Sequence, residues 1–202
     1  YYTREKEKRK FFNSVVLIST DSVSKIYNKL TLVPMAEYIP LSGVFPSLKE
    51  LNLGQANFTR GDEFRMFKIQ NTTFAAMICF ESTFPALSAE FVRRGAQVLV
   101  YVVNDGWYET PPEPQQHAKQ AVYRAIENRR PVLRCTNTGI SMVVNPRGNI
   151  VRQLPLNQAG VINAAIMPSN GVTFYTKYGD IFAQISAIIS MFFILRVLLR
   201  KK

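Results

Sequence analysis

The chain has 202 residues, of which 47% are apolar, and a formal net charge of +11. This length favours one globular domain, and the apolar fraction is sufficient for a real core. Two cysteines exclude a disulfide framework. The basic residues cluster at residues 4–10 and at the last three positions. No aromatic-interleaved basic platform or zinc-finger spacing accompanies them, so the charge favours a membrane-proximal anchor over nucleic-acid binding.

The order of apolar runs and turn residues predicts strands that alternate with helices. We expect strands at residues 11–18 and 23–29, joined as a hairpin, and then a long proline-punctuated loop to about residue 60. Further strands are predicted at residues 64–70, 72–79, 97–103, 131–136, 140–144, 149–154 and 159–166, and helices at 86–94 and 116–128. The strand at 97–103 is continuously apolar, as expected for burial on both faces. This pattern indicates an α/β sandwich with a mixed sheet.

Cys79 ends one of these strands, immediately before a helix signal. A strand-to-helix turn fixes the backbone and leaves a side chain accessible at the sheet edge, which suits a reactive thiol. The alternative is a buried structural cysteine. A cysteine nucleophile needs a base and an oxyanion donor. The only histidine is His117, which we interpret as a surface or helix-cap residue, although a Cys–His pair stays open.

Residues 181–199 form an apolar segment of a different kind, with Gln184, two serines and Arg196 as its only polar positions. As a helix it would reach about 28 Å, close to the thickness of a bilayer's hydrocarbon core. The bases at its end predict a cytoplasmic C-terminus and a catalytic domain on the opposite side. The alternative is an amphipathic helix docked on the domain. We therefore divide the chain into a domain over residues 1–180 and a transmembrane helix with a basic tail over 181–202.

Five sequence motifs resemble the nitrilase (carbon–nitrogen hydrolase) superfamily, in the order and spacing of that family. They are Tyr-Asn-Lys-Leu-Thr-Leu-Val-Pro at 27–34, Ile-Cys-Phe-Glu at 78–81 with Phe-Pro at 84–85, Asn-Asp-Gly-Trp at 104–107, Arg-Ala-Ile-Glu-Asn-Arg-Arg-Pro at 124–131 and Asn-Thr-Gly at 137–139. The segment 33–40 and the apolar C-terminus resemble the apolipoprotein N-acyltransferase branch. The resemblance implies an α-β-β-α sandwich, incomplete at its N-terminus and followed by one transmembrane helix.

The resemblance also implies roles for individual residues. Cys79 would be the nucleophile, and Lys29 with the backbone N–H of Phe80 would stabilise the oxyanion. Glu37 and Glu81 would orient and support Lys29 and the thiol. Trp107 and Tyr108 would line the acyl entrance, with Phe80 beside the substrate. For each of these a structural role is the alternative: a solvated lysine, a helix-capping Glu81 or a core Trp107. Arg124 and Glu127 would be structural partners on a packed helix.

One part of the family pattern is missing. The family's general base is a glutamate on an early strand well upstream of the lysine, and only 28 residues precede Lys29. Glu5 and Glu7 lie in a basic run and match no motif. The chain also lacks an initiator Met, a signal peptide and the N-terminal membrane helices of the acyltransferase branch. We therefore expect a C-terminal fragment that is inactive on its own.

The function that the resemblance implies is transfer of an acyl chain from a phospholipid, through a Cys79 thioester, to the N-terminal amine of a diacylglyceryl-cysteine lipoprotein. The loop at 34–60 would be a lid, and no cofactor, metal or nucleic acid is implied. The expected location is the bacterial inner membrane, with the catalytic domain periplasmic. The alternatives are a membrane-tethered amidase or nitrilase, and an inactive nitrilase-like binding module.

Overall fold

A computed structural model describes residues 2–5, 8–19, 23, 26–45, 47–48, 56–107 and 112–200. The strands are β1 (Tyr2–Glu5), β2 (Lys8–Phe11), β3 (Ser14–Val15), β4 (Tyr27–Asn28), β5 (Phe67–Ile69), β6 (Thr72–Ile78), β7 (Val98–Val103), β8 (Val132–Thr136), β9 (Ser141–Val144) and β10 (Ile150–Leu154). The helices are a 3-10 helix (Cys79–Thr83), α1 (Pro85–Arg93), α2 (Glu113–Asn128), α3 (Phe174–Tyr178) and α4 (Ile181–Arg200).

The main sheet has six strands in the order β10-β9-β8-β7-β6-β5. The central strands β6, β7 and β8 are parallel. Strand β5 pairs antiparallel with β6, β9 pairs antiparallel with β8, and β10 pairs antiparallel with β9. The prediction of a mixed sheet in an α/β fold is confirmed. Because parallel strands end at the same sheet edge, the residues that follow β6, β7 and β8 meet there.

Helices α1 and α2 cover one face of this sheet. Ala118, Ala121 and Ala125 recur at helical spacing on α2 and are buried, so the small side chains let the helix approach the sheet closely. Tyr101 of β7 is also buried on this side, where its hydroxyl lies 2.8 Å from Ser88 Oγ of α1. Such burial of large side chains contributes roughly 1.5–3 kcal/mol for each residue.

The N-terminal segment forms two short antiparallel ladders. Strand β3 pairs with β4, and an isolated bridge joins Ile18 to Val23, so the predicted hairpin is confirmed with shorter strands than expected. Strands β1 and β2 pair with each other, although the basic run at 4–10 was not expected to form a strand.

Two expectations for β-structure are wrong. Residues 159–166 form no strand in the described chain, and Val161 is 84% exposed. The residues on either side of this segment are bonded to the sheet domain, where Asn157 N donates to Thr138 O and Ser169 N donates to Gln97 O. Strand β7 is not buried on both faces along its whole length, because Val102 is 43% exposed near the strand's end.

Helices α3 and α4 follow the sheet domain. Thr176 of α3 is buried, and its hydroxyl donates to Asn128 Oδ1 of α2 at 2.9 Å, while Arg93 Nη1 of α1 donates to the Thr176 carbonyl. Helix α4 carries the apolar segment Ile181–Leu199, and none of it is buried against the rest of the described chain. By length and composition this helix could cross a membrane, and its exposure argues against the docked-helix alternative.

Candidate active site

Cys79 lies directly after β6, at the first position of the 3-10 helix, where its backbone φ is +50°. Left-handed backbone is uncommon for a residue other than glycine and is frequent at functional turns. The thiol is half-buried and donates to the Asn104 carbonyl at 3.6 Å. Burial raises the pKa of the Cys79 thiol, although the charge of Lys29 acts in the opposite direction. A base is therefore needed to form the thiolate at neutral pH.

Lys29 is buried, with 1% of its surface exposed, and its ammonium group donates to both Glu37 oxygens at 2.9 and 2.7 Å. The chain reverses between the two residues, where Glu37 N donates to Val33 O and Met35 adopts a φ of +66°. Glu37 also accepts from Val33 N and from Asn13 Nδ2. The alternative of a solvated lysine is wrong, because this ammonium group is enclosed and its charge is paired.

Glu81 is fully buried and accepts hydrogen bonds from four groups. Ile78 N, Leu30 N and Thr31 N donate at 2.7, 2.7 and 3.0 Å, and the Tyr27 hydroxyl donates at 2.8 Å. Burial raises the pKa of Glu81, and these hydrogen bonds oppose that effect. Glu81 therefore links the backbone of Leu30 and Thr31, which follows Lys29, to the backbone of Ile78, which precedes Cys79. The hydrogen bonds of Glu81 are to this backbone and to Tyr27, so any support that it gives to Lys29 and the thiol is indirect.

The Cys79 thiol and the Lys29–Glu37 pair both face one cavity of about 630 Å³, a size that accepts a small ligand or part of an acyl chain. Its apolar lining consists of Val33, Ala36, Ala56, Phe58, Ile78, Phe80, Val102, Val103 and Trp107. Trp107 lines this cavity and is 72% exposed, so the alternative of a core tryptophan is wrong. Tyr108 lies outside the described residues. Phe80 and Trp107 both line this cavity, and their roles beside the substrate and at the acyl entrance stay predictions.

His117 is buried, so its interpretation as a surface or helix-cap residue is wrong. Its Nδ1 lies 2.7 Å from Asp105 Oδ1, and its Nε2 lies 3.0 Å from Ser82 Oγ. Asp105 also accepts from Arg134 Nη2 at 2.7 Å. The sequence analysis assigned no role to Ser82, Asp105 or Arg134, although Asp105 follows β7 at the same sheet edge as Cys79. That shared edge was the signal that could have identified Asp105.

Two further observations limit the chemistry of the described residues. No carboxylate among them is hydrogen-bonded to the Cys79 thiol, and no three His, Cys, Asp or Glu side chains of that part of the chain cluster as metal ligands. Arg124 pairs with Glu127 at 2.8 Å within α2, away from the cavity, as expected for structural partners. The arrangement supplies a thiol, a charged donor and an apolar cavity.

A thiol at the end of a strand and a buried lysine thus line one mainly apolar cavity of an α/β fold. The chain belongs to the carbon–nitrogen hydrolase family, whose model matches residues 1–173.

Two solved structures share the fold of this chain. The chain aligns with Saccharomyces cerevisiae Nit3, a member of branch 10 of the nitrilase superfamily, with a TM-score of 0.55 and 20% identity over 73% of this chain and 51% of that one. It aligns with the glutamine-dependent NAD+ synthetase from Acinetobacter baumannii with a TM-score of 0.58 and 17% identity over 83% of this chain and 33% of that one. These matches confirm the nitrilase-like α/β fold.

Relatives of higher identity bear the name apolipoprotein N-acyltransferase. The chain is 35% identical to the protein from Geobacter metallireducens, 37% to that from Thermotoga maritima and 38% to that from Chlorobaculum tepidum. The matches cover 90%, 89% and 83% of this chain, but 35%, 36% and 33% of the relatives. The chain thus spans about a third of the length of these relatives. The resemblance to this branch is confirmed.

Proposed function

We propose that the chain carries the cysteine site of an apolipoprotein N-acyltransferase. The substrates would be a phospholipid as acyl donor and the N-terminal amine of a diacylglyceryl-cysteine lipoprotein as acceptor. The observation that carries the proposal is the position of Cys79, with the Lys29–Glu37 pair, on the wall of a mainly apolar cavity. The names of the relatives support the same activity.

The first half-reaction forms a thioester. The Cys79 thiolate attacks the ester carbonyl carbon, and the carbonyl oxygen becomes an oxyanion next to the Lys29 ammonium group and the Phe80 N–H. Collapse breaks the ester bond, and the lysophospholipid leaves after its oxygen takes the proton that came from the thiol. Preorganised donors contribute strongly here, since loss of one typically lowers the rate on the order of 10²–10³-fold.

The second half-reaction returns the thiol. The lipoprotein amine attacks the thioester carbonyl, an amide bond forms and the sulfur leaves, to be protonated by the proton that the amine loses. Water would compete as a nucleophile at this step. The apolar lining, from Val33 to Trp107, favours acyl transfer because it leaves little polar surface to hold water beside the thioester.

The proton transfers need a general base that no described residue supplies to the thiol. The family resemblance assigns it to a glutamate upstream of the lysine motif. We therefore propose turnover for a form of the protein that includes such a glutamate. The loop between Pro34 and Arg60 would act as a lid, an idea supported by Ala36, Ala56 and Phe58, which line the cavity from this loop.

Helix α4 would hold the domain at the bacterial inner membrane, with the catalytic domain periplasmic and Lys202 cytoplasmic. Arg196 and the terminal bases support this orientation through the positive-inside rule. The test is a membrane-impermeant thiol reagent on spheroplasts. Labelling of Cys79, but not of a cysteine added after Lys202, is expected, and the reverse pattern would overturn the orientation.

Acyl transfer from a labelled phospholipid to a diacylglyceryl peptide tests the activity. Cys79→Ser should abolish the acyl-enzyme, whereas the matched Cys135→Ser variant, which changes an exposed thiol of β8, should keep it. Hydrolysis of small amides without acyl transfer would favour a membrane-tethered amidase. Lipid binding without turnover, in a protein that contains the upstream glutamate, would favour a binding module and contradict the proposal.

A further inference from the structure

A buried chain of polar side chains leads from the helix-covered side of the sheet to the backbone of Cys79. Arg134 Nη2 donates to Asp105 Oδ2, and Asp105 Oδ1 lies 2.7 Å from His117 Nδ1. His117 Nε2 then lies 3.0 Å from Ser82 Oγ, and Ser82 Oγ donates to the Cys79 carbonyl at 2.9 Å. The four side chains of this hydrogen-bonded series, from Arg134 to Ser82, are all buried.

The charge of Asp105 sets the direction of these hydrogen bonds. Burial raises the pKa of Asp105, but hydrogen bonds from His117 and Arg134 outweigh it, so that the pKa lies below its usual range. A carboxylate only accepts, and His117 Nδ1 therefore carries a hydrogen and donates to it. This bond directs Nε2 towards Ser82 and towards the Cys79 carbonyl, which lies 3.3 Å away.

Cys79 has a left-handed backbone conformation, which makes the contacts of its carbonyl important for the position of the thiol. Such a conformation persists only when the surrounding structure holds it. Ser82 and His117 both approach this carbonyl, and Asp105 belongs to the 104–107 loop whose Asn104 carbonyl accepts from the thiol. Gly139 packs so closely on the Asp105 carboxylate that a Cβ there would clash. The polar chain thus connects the ends of β6, β7 and β8.

We propose that His117 is a positioning residue for the nucleophile. Asp105 and Arg134 fix the position of His117. Through Ser82 and the Cys79 carbonyl, His117 holds the turn in which the thiol and the Phe80 N–H point at the substrate carbonyl. The inference rests on Cys79 as the nucleophile of the proposed function. Misplacement of reacting groups by about 1 Å lowers rates on the order of 10²-fold, so the expected loss is in kcat.

The experiment compares two buried serines. Ser82→Ala removes the hydroxyl between His117 and Cys79, while Ser88→Ala removes an equally buried hydroxyl that is bonded to Tyr101. His117→Ala and the conservative His117→Gln complete the set. Hydrogen exchange of the Cys79–Thr83 backbone is measured on the detergent-solubilised chain, and kcat and KM for acyl transfer on a form that turns over.

Ser82→Ala and His117→Ala should accelerate exchange in the Cys79 turn by about tenfold or more and lower kcat on the order of 10–100-fold, with KM unchanged. His117→Gln keeps a polar partner for Ser82, so its exchange rate and kcat should fall between those of the two alanine variants and the wild type. Ser88→Ala should alter neither quantity. Unchanged exchange and kcat in folded Ser82→Ala and His117→Gln proteins, or equal effects of the two serines, would overturn the inference. A wild-type protein without acyl transfer would contradict the proposed function, while the exchange result would still decide the role of His117.

Discussion

Replacement of Lys29 by methionine should destabilise the protein far more than a surface lysine substitution. The ammonium group is 1% exposed and makes two charge-assisted hydrogen bonds to Glu37. Methionine leaves the Glu37 carboxylate buried with only Val33 N and Asn13 Nδ2 as neutral donors. Loss of one partner of a buried ion pair typically costs about 3–5 kcal/mol. We expect a loss in that range in the free energy of unfolding.

The assay is urea unfolding of the wild type, Lys29→Met, Glu37→Gln and the double variant. Each single variant leaves an unpaired buried charge, whereas the double variant leaves none. The double variant should therefore be more stable than the sum of the single effects predicts, by a coupling energy of about 2–3 kcal/mol. Arg65→Met, at a more exposed cation, serves as the control and should change the free energy of unfolding by less than about 1 kcal/mol.

The same variants of Lys29 and Glu37 distinguish an effect on stability from an effect on catalysis. If Lys29 stabilises the oxyanion, the double variant should regain stability but not acyl-transfer activity. Lys29→Arg should also lose most of the activity, because a planar guanidinium cannot replace a compact ammonium group in an enclosed site. A loss below about 1 kcal/mol for Lys29→Met would refute the reasoning on the buried ion pair. Near-normal turnover of the double variant would assign the oxyanion to backbone donors.

Three further predictions concern other parts of the molecule. Glu81→Gln turns an amide NH₂ towards groups that themselves donate hydrogen bonds. It should therefore lower the free energy of unfolding by about 1–3 kcal/mol. An unchanged midpoint of urea unfolding would contradict this. Burial raises the pKa of Cys79, so its thiolate fraction at a given pH is lower than that of an ordinary thiol. In a Cys135→Ser chain, the rate of alkylation by iodoacetamide should therefore still rise above pH 8.5, the usual pKa of a cysteine. A rate that reaches a plateau below pH 8.5 would refute the direction of the shift. Because α3 ends at Tyr178 and α4 begins at Ile181, a membrane-spanning α4 would place α3 at the membrane interface. In a chain without native cysteines, a fluorophore at Phe174→Cys of α3 should therefore be quenched by spin-labelled lipids, unlike one at Tyr123→Cys on α2. Equal quenching would contradict this position of α3.

Local features of the sequence determined much of the site. The end of a strand at Cys79, with helix signals behind it, is a short-range pattern, and the structure places β6 and the 3-10 helix there. The approach of Glu37 to Lys29 is also local, since the chain reverses within eight residues at Pro34. Residues 181–199 contain no glycine or proline that would interrupt a helix. Their length and apolar character predicted a membrane span without knowledge of the fold.

Other features were decided by the tertiary structure alone. The burial of Lys29 depends on the cavity wall that residues 56–58 and 102–104 complete from distant parts of the chain. Residues 159–166 have the composition of a strand, but a strand forms only where a neighbouring edge accepts its hydrogen bonds. His117 looked like a surface residue because its partners Ser82, Asp105 and Arg134 are 35, 12 and 17 positions away. Their meeting follows from the parallel order of β6, β7 and β8, because long-range strand pairing leaves no local signal in the residues that it brings together.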